Sequence, residues 1–242
     1  MNTKRHRMEV SGMSVQVVRK DIKNLHLAVY PPDGSIRVAA PFQLKDDAIR
    51  LAVISRLGWI RKRRANFEQQ ERQSERHLVT GETHYVQGRR YRLDVVEGRG
   101  VPSIRIRNNT RLELKIPTGT PLKKRQEVLD RWYRNILRVQ IPAIISKWES
   151  IVGVRVATWG IKRMKTRWGT CNTLNRRIWL NLELAKKTPT CVEYIVVHEM
   201  IHLLEHNHNH RFAAYMDRFM PGWRMRREEL NRAPLSHEDW TY

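Results

Sequence analysis

The sequence predicts an α+β protein, and three observations lead to this class. Short segments that alternate apolar and polar residues, separated by Gly, Pro and Asn, fill much of residues 1–118 and indicate strands. Helical spacing of apolar residues dominates residues 119–242 and surrounds a pair of histidines. Turn residues cluster at 117–121. We therefore expect a strand-rich scaffold or substrate-recruiting domain over 1–118, and over 119–242 a second domain with a small sheet and a site-bearing helix.

The first domain is expected to contain two groups of strands with one long helix between them. This helix is predicted to run from about Lys45 to about Arg72. Alternation predicts strands over residues 15–18, 25–29, 36–39, 84–86, 91–96, 104–107 and 112–116. No cluster of side chains in this part indicates chemistry, and no internal repeat is evident along the chain.

The second domain is expected to open with a helix from Leu122 to about Ile151. Pro142 lies inside this helix and should kink or divide it, and Gly153 should mark its end. Strands are then predicted over residues 154–159, 167–171 and 177–183, with a hairpin turn over 172–176. Helices on either side of Pro221-Gly222 complete the domain.

The stretch from His198 to His202 is the most informative part of the chain. One helical turn is 3.6 residues, so two imidazoles four residues apart project from the same face and can bind one ion. Glu199 lies about 100° further round the helix, where it can reach a metal-bound water without binding the metal. Thr190 and Glu193 match a capping box that would begin this helix. The pattern predicts hydrolytic zinc, and its alternative is a chance pattern on an amphipathic helix.

A third ligand is expected soon after the helix, where the sequence offers His206, His208 and His210. His206 lies eight residues beyond His198, about 12 Å along a helix axis, and is a poor ligand on that ground. We favour His208, which requires the helix to end near Glu205 to Asn207, with Asn207 in the left-handed conformation. His210 remains an alternative third ligand.

Three imidazoles would leave one zinc position for water, and Glu199 would then be the general base of a hydrolase. Residues that could stabilise the oxyanion are Tyr215, His210 and Arg211. Four cations would line the approach to the metal, where a peptide could add to a strand edge. They are Lys162, Arg163, Lys165 and Arg167. The alternative for these cations is the protection of an exposed strand edge from aggregation. Trp168 and Trp179 are candidates for substrate contacts, although core packing explains most tryptophans.

Charge and cysteine content constrain the setting of the protein. The chain has 46 Lys and Arg against 24 Asp and Glu, which gives a net charge of +22 and favours polyanions such as nucleic acid or nucleotides. Its two cysteines are too few for a disulfide framework. Neither a signal peptide nor a membrane-spanning apolar run is visible, so we expect a cytoplasmic protein without a membrane partner.

The chain resembles the YgjP-like metallopeptidases, a zincin group related to the SprT-like and WLM proteases. The resemblance rests on the run from Val196 to Leu203 followed by 208–212, on 164–171, and on 178–182. It implies a zincin-like second domain, zinc as the cofactor and a polypeptide as the substrate. It also implies that His198, His202 and His208 bind the zinc and that Glu199 is the catalytic residue.

Two alternative functions use the same residues differently. A water activated at this site could attack phosphorus, and a pocket lined by Lys165, Arg167 and their neighbours would suit a nucleoside triphosphate, which would make the protein a phosphohydrolase. The zinc could also be structural, in a basic module that binds nucleic acid. The sequence does not indicate the oligomeric state.

Overall fold

A computed structural model describes residues 4–30, 33–69, 77–164 and 167–232, and it confirms the α+β class. The strands are β1 (Lys4–Val10), β2 (Met13–Lys20), β3 (His26–Tyr30), β4 (Ser35–Pro41), β5 (Thr83–Val86), β6 (Arg89–Glu97), β7 (Ser103–Arg107), β8 (Arg111–Ile116), β9 (Thr158–Lys162), β10 (Gly169–Asn172) and β11 (Arg177–Asn181). The α-helices are α1 (Asp46–Ile54), α2 (Leu57–Gln69), α3 (Leu122–Val152), α4 (Pro189–Ile201), α5 (His210–Phe219) and α6 (Trp223–Arg232). In these ranges, no helix combines the length and the apolar character needed to cross a lipid bilayer.

The described chain forms two compact units, and the division falls between Gln69 and His77. The first unit contains β1 to β4 with α1 and α2, and the second contains the remaining elements. The boundary predicted at 118–119 therefore lies inside the second unit. The reason is that β5 to β8 and α3 share one buried apolar cluster, and the Tyr133 hydroxyl on α3 donates to the Tyr85 carbonyl oxygen at 2.8 Å.

Each unit begins with a four-stranded sheet of the same topology, which the sequence did not reveal. The strand orders are β1-β2-β4-β3 and β5-β6-β8-β7. In both sheets the outer pairs are antiparallel and the middle pair is parallel. A helical segment follows each sheet, so the two units share a topology that is not evident as a repeat in the sequence.

The helical segment of the first unit is divided in two, whereas one continuous helix was predicted from 45 to 72. A turn at Ser55 and Arg56 separates α1 from α2, and the Ser55 hydroxyl donates to the Ala52 carbonyl oxygen at 3.0 Å. Ile49 and Val53 on α1 are buried in the apolar cluster of this unit. The residues predicted to lie in the helix beyond position 69 are outside the described ranges.

Helix α3 runs without interruption through Pro142, so the helix is not divided there, and the kink that was the other expected outcome stays a prediction. Pro142 is exposed, and water can bind the carbonyl oxygen that its missing N–H would have paired with. Gly153 ends the helix as predicted, with a φ of 76° and an N–H that donates to the Glu149 carbonyl oxygen at 3.0 Å.

The third sheet carries the site and has the order β10-β11-β9, with β10 antiparallel and β9 parallel to β11. Ile178 and Leu180 on β11 are buried in the cluster that also receives α3 and α4. The first predicted strand, 154–159, is displaced: β9 begins only at Thr158. Strands β10 and β9 form the two edges of this sheet.

Candidate metal centre

The N-cap of helix α4 lies two residues before the first residue of the predicted capping box. This N-cap is Thr188, whose hydroxyl accepts a hydrogen bond from the Cys191 N–H at 3.3 Å, and Pro189 occupies the first helical position. Proline is favoured there because its missing N–H would be unpaired in any case. The predicted box of Thr190 and Glu193 is therefore wrong, and Glu193 instead pairs with side chains of α3 and α6.

The same helix ends at Ile201, earlier than the predicted end between Glu205 and Asn207. The Leu204 N–H donates to the Ile201 carbonyl oxygen at 2.9 Å, which tightens the last turn. Asn207 does not have the left-handed conformation that was expected. Its N–H donates instead to the Glu205 carboxylate at 3.1 Å. This short turn returns the chain toward the face of α4 that carries the histidines.

Three imidazole nitrogens converge at this point. His208 Nε2 lies 2.9 Å from His198 Nε2 and 3.1 Å from His202 Nε2, and the ligand atoms of the three residues all lie within 4.8 Å of one another. Nitrogens bound to tetrahedral zinc at 2.0–2.1 Å would be separated by about 3.3 Å. The group does not include His206 or His210, whose imidazoles were the other candidates.

Hydrogen bonding defines the tautomer of one of these imidazoles. His202 Nδ1 lies 3.1 Å from the Glu205 carbonyl oxygen, to which it must donate because a carbonyl accepts only. A neutral His202 therefore carries its proton on Nδ1 and presents a bare lone pair at Nε2, the form that a metal requires. In the described part of the chain, His198 Nδ1 is buried without a hydrogen-bond partner. Three Nε2 atoms this close together, with the lone pair of His202 among them, suit a shared cation.

Phe212 supports the three rings from the next helix. Its ring centroid lies 4.9 Å from that of His198 and 4.8 Å from those of His202 and His208. Phe212 is fixed by Asn209, which caps α5 by accepting the Phe212 N–H at 3.0 Å. One buried aromatic side chain thus contacts all three imidazoles.

The surroundings of the imidazoles favour their neutral forms. Burial, helped by His202 and His208, lowers the pKa of His198 to about 3. Burial also lowers the pKa of His202 and that of His208. Neutral imidazoles bind metal ions, whereas protonated ones do not. The donor set therefore fits a borderline-soft divalent ion such as zinc.

Glu199 is almost fully buried beside strand β10, with an exposed fraction of 5%. Burial raises the pKa of Glu199 to about 8, and the Arg167 guanidinium acts in the opposite direction. A β-carbon placed on Gly169 would lie 2.6 Å from Glu199 Oε1, so only glycine leaves room for this carboxylate. Cys171 is also near, and burial followed by the charge of Glu199 raises the pKa of its thiol to about 11.

The segment that leads into β10 is held by the buried side chain of Asn181. Its Nδ2 donates to the carbonyl oxygens of Met164 and Arg167, both at 2.8 Å. Its Oδ1 accepts the N–H groups of Met164 at 3.3 Å and Glu183 at 3.2 Å. Asn181 therefore determines where Arg167 and the following Gly169 lie relative to α4.

The remaining predicted site residues lie in different surroundings. Arg167 is exposed and close enough to influence Glu199, whereas Trp168 is half-buried with the Lys187 ammonium 5.2 Å from its ring centroid. Tyr215 is on α5 and stacks on Phe219 at 6.2 Å. Lys165 lies outside the described residues. The substrate contacts assigned to these four residues stay predictions.

Sequence reasoning missed three residues that shape the centre: Gly169, Asn181 and Phe212. A glycine within a strand is a signal of close backbone approach, so Gly169 could have been suspected. Phe212 was predicted as an apolar residue of a helix and as part of the stretch 208–212 that carries the resemblance, without a role in the centre. Asn181 gives no local signal because its partners are main-chain groups of a distant segment.

The model of the YgjP-like metallopeptidase domain matches residues 23–233. The chain belongs to the YgjP-like metallopeptidase family. Family membership supports a metal-dependent peptidase, and the metal centre described above lies within the matched region.

A search of curated proteins finds no match. Among solved structures, the metallopeptidase zymogen abylysin of Pyrococcus abyssi is 20% identical, with a TM-score of 0.34 over 38% of this chain and 90% of that chain. A TM-score this low adds nothing to the assignment.

Proposed function

We propose that this protein is a zinc-dependent peptidase in which His198, His202 and His208 hold the metal and Glu199 is the general base. The observation that supports it best is the convergence of the three Nε2 atoms, with separations of 2.9 and 3.1 Å around His208. The tautomer of His202, set by the Glu205 carbonyl oxygen, adds a directed lone pair. Three imidazole nitrogens favour zinc over the harder cations magnesium and calcium.

The number of ligands supports a catalytic rather than a structural metal. Structural zinc is almost always held by four protein ligands, whereas catalytic zinc is held by three and keeps one position for water or substrate. In the described part of the chain, the candidate group has three members, and His208 is exposed. Solvent and substrate can therefore reach the centre from the side of His208. A purely structural site would need a fourth side chain there.

The chemistry assigned to the protein's own residues follows from their positions. When bound, zinc supplies a Lewis acid that lowers the pKa of a water molecule to about 7 and polarises the attacked carbonyl. In its ionised form, the Glu199 carboxylate would accept a proton from the attacking water and pass it to the leaving amine. Gly169 allows the carboxylate to occupy this position, and Phe212 holds the imidazoles in theirs.

The substrate proposed for this centre is an extended polypeptide. Strand β10 is an edge of its sheet, and its first residue, Gly169, lies against Glu199. An extended chain that pairs with this edge would lie beside the catalytic carboxylate, through main-chain hydrogen bonds that need little sequence specificity. Arg167 and Trp168 precede the strand and would contact the same chain.

The test combines metal quantification with a cleavage assay on a denatured protein. Purified full-length protein is expected to contain about one zinc per chain and to cleave the substrate. Glu199→Gln should keep the metal and lose cleavage by at least about 10²-fold, the scale of general-base catalysis. His208→Gln should lose both. His206→Gln is the matched control, because this exposed imidazole is outside the group, and it should keep both.

The same panel includes nucleoside triphosphates, with release of phosphate or pyrophosphate as the readout. Turnover of nucleotides without cleavage of protein would replace the peptidase proposal with the phosphohydrolase. Metal retention together with full activity in Glu199→Gln would remove Glu199 from the mechanism. A metal content that does not change in His208→Gln would remove the proposed ligand set.

A further inference from the structure

A cavity in the second unit lies along the other edge of the site-bearing sheet. It has a volume of about 440 Å³ and lies between α3 and β9. Six residues line it: Arg134, Arg138, Trp159, Gly160, Ile161 and Trp179. Strand β9 is the edge opposite β10, whose Gly169 contacts Glu199. The cavity, called here the β9 groove, is therefore separate from the metal centre.

The β9 groove is lined by cations that the described protein does not neutralise. Arg134 and Arg138 are one helical turn apart on α3, and neither guanidinium group has a hydrogen bond or ion pair with a described residue. Two more cations flank Trp179: Lys162 Nζ lies 4.9 Å and the Arg177 guanidinium carbon 5.7 Å from its ring centroid. No acidic residue is among the six that line the groove. This arrangement leaves the groove open to an anionic ligand.

The aromatic side chains give the groove a second property. Trp159 and Trp179 are both half-buried, so each keeps part of its ring accessible. A β-carbon on Gly160 would collide with the ring of Trp179, so this glycine allows the indole to lie against the backbone of β9. The groove thus combines one indole ring, that of Trp179, which lies against Gly160, with guanidinium groups from the neighbouring helix.

We propose that the β9 groove binds single-stranded nucleic acid. Arg134 and Arg138 would pair with successive phosphates and a base would stack on Trp179, and cations combined with an aromatic face bind single strands without sequence preference. A duplex hides the faces of its bases and would use only the cations. An acidic peptide would also pair with the arginines, but it has no flat rings to match the indoles. The charge of +22 would assist the approach of any of these ligands and does not distinguish between them.

The first test measures binding of a fluorescein-labelled oligothymidylate by anisotropy, with a chelator present so that the metal centre does not contribute. For single strands, each phosphate contact adds about 0.7 to the slope of log K against log salt concentration. The double variant Arg134→Gln with Arg138→Gln should therefore lower that slope by about 1.4. The double variant Lys123→Gln with Arg131→Gln removes two exposed charges from the same helix outside the groove, and its slope should stay close to the original.

The second test separates stacking from charge. Trp179→Leu should weaken binding of the single strand about fivefold or more, and Trp179→Phe, which keeps an aromatic face, should retain most of it. Binding of a duplex should be weaker and unaffected by Trp179→Leu. Thermal melting of each variant checks folding, and the arginine pair carries the test if Trp179→Leu does not fold.

Three results would overturn the proposal. The first is the absence of binding at low salt. The second is an equal fall in the salt slope for the groove variant and the control variant, which would indicate a diffuse surface charge. The third is that polyglutamate displaces the labelled oligothymidylate as effectively as unlabelled oligothymidylate does. That result would make the ligand an acidic peptide. Because binding is measured without metal, none of these results bears on the proposed peptidase activity.

Discussion

Gly169 lies against the carboxylate of Glu199, so close that a β-carbon at position 169 would be 2.6 Å from Oε1 and 2.7 Å from Cγ. The carboxylate belongs to α4 and the glycine to β10, so this contact joins the helix of the metal centre to the edge strand beside it. Any larger residue at 169 would have to move either the strand or the carboxylate. Gly169 is therefore a positioning residue for the proposed general base.

Gly169→Ala should lower peptidase turnover by about 10²-fold while the protein stays folded and keeps its metal. The reason is that a displacement of about 1 Å in a catalytic group costs a factor of this order. Measurement of kcat, KM and zinc content for the variant tests this expectation. Since the three atoms nearest to the added β-carbon all belong to Glu199, the zinc content should not change.

Gly98→Ala is the control for the loss of a glycine. A β-carbon on Gly98 would meet no atom within 4 Å, so this variant should match the original in both turnover and metal content. If Gly169→Ala were as active as Gly98→Ala, the contact between Gly169 and Glu199 would have no catalytic meaning.

The parts of the site that were predictable from sequence are those set by helix geometry alone. The spacing of His198 and His202 fixes their common face wherever the helix lies, and the same argument places Glu199 beside them. His208 could be favoured over His206 because distance along a helix axis is a local quantity. The turn that brings His208 back was predicted with the wrong conformation, because the Glu205 carboxylate, rather than a left-handed Asn207, provides the partner for the backbone.

The parts that could not be predicted depend on contacts between distant segments. The turn-rich segment at 117–121 resembles a linker in sequence, but α3 beyond it packs on the sheet before it. The repeated sheet topology is hidden because strand order is a property of pairing, which alternation alone does not encode. The helix start was assigned to Thr190 since a capping box is a local pattern, whereas Pro189 moved the N-cap back to Thr188.

Asn181→Ala should destabilise the protein and also reduce turnover. Its side chain is 4% exposed and satisfies main-chain groups of Met164, Arg167 and Glu183. Leaving such buried groups without partners costs about 1–3 kcal/mol, and the released segment includes Arg167 and leads into Gly169. Chemical denaturation and steady-state kinetics on the same samples measure both effects. Asn135→Ala, at an exposed position on α3, should change neither the stability nor the turnover. If Asn181→Ala also left both unchanged, the hydrogen bonds of the Asn181 side chain would be dispensable.

Removal of the metal should lower the melting temperature without unfolding the chain. A ligand at about 1,000 times its Kd stabilises the native state by about 4 kcal/mol, and that contribution disappears on chelation. The fold should survive because α4 is buried in an apolar cluster that extends to α3 and β11, far beyond the imidazoles. Calorimetry with and without chelator tests this, with His208→Gln as the reference that should show no shift. Complete loss of structure on chelation would indicate a structural metal.

Lys187 should make the stability of the protein rise with pH in the alkaline range. Its side chain is buried, and this burial lowers the pKa of its ammonium from 10.5 to about 8, although Glu183 acts in the opposite direction. Between pH 8 and 10.5 the unfolded chain therefore binds a proton at Lys187 that the folded chain does not. Because stability increases with pH wherever the unfolded state binds more protons, the cost of burying this charge is fully present below pH 8 and is lost by pH 10.5.

Lys187→Met removes this dependence and fills a similar volume with an apolar side chain. A fall in pKa from 10.5 to about 8 corresponds to about 3 kcal/mol, so the variant should exceed the original in unfolding free energy near pH 7 by up to about that amount. The advantage should shrink between pH 8 and 10.5. Lys123→Met, at an exposed lysine, should track the original at every pH. A constant difference between Lys187→Met and the original across this range would mean that Lys187 stays protonated in the folded protein, with Glu183 outweighing the effect of burial.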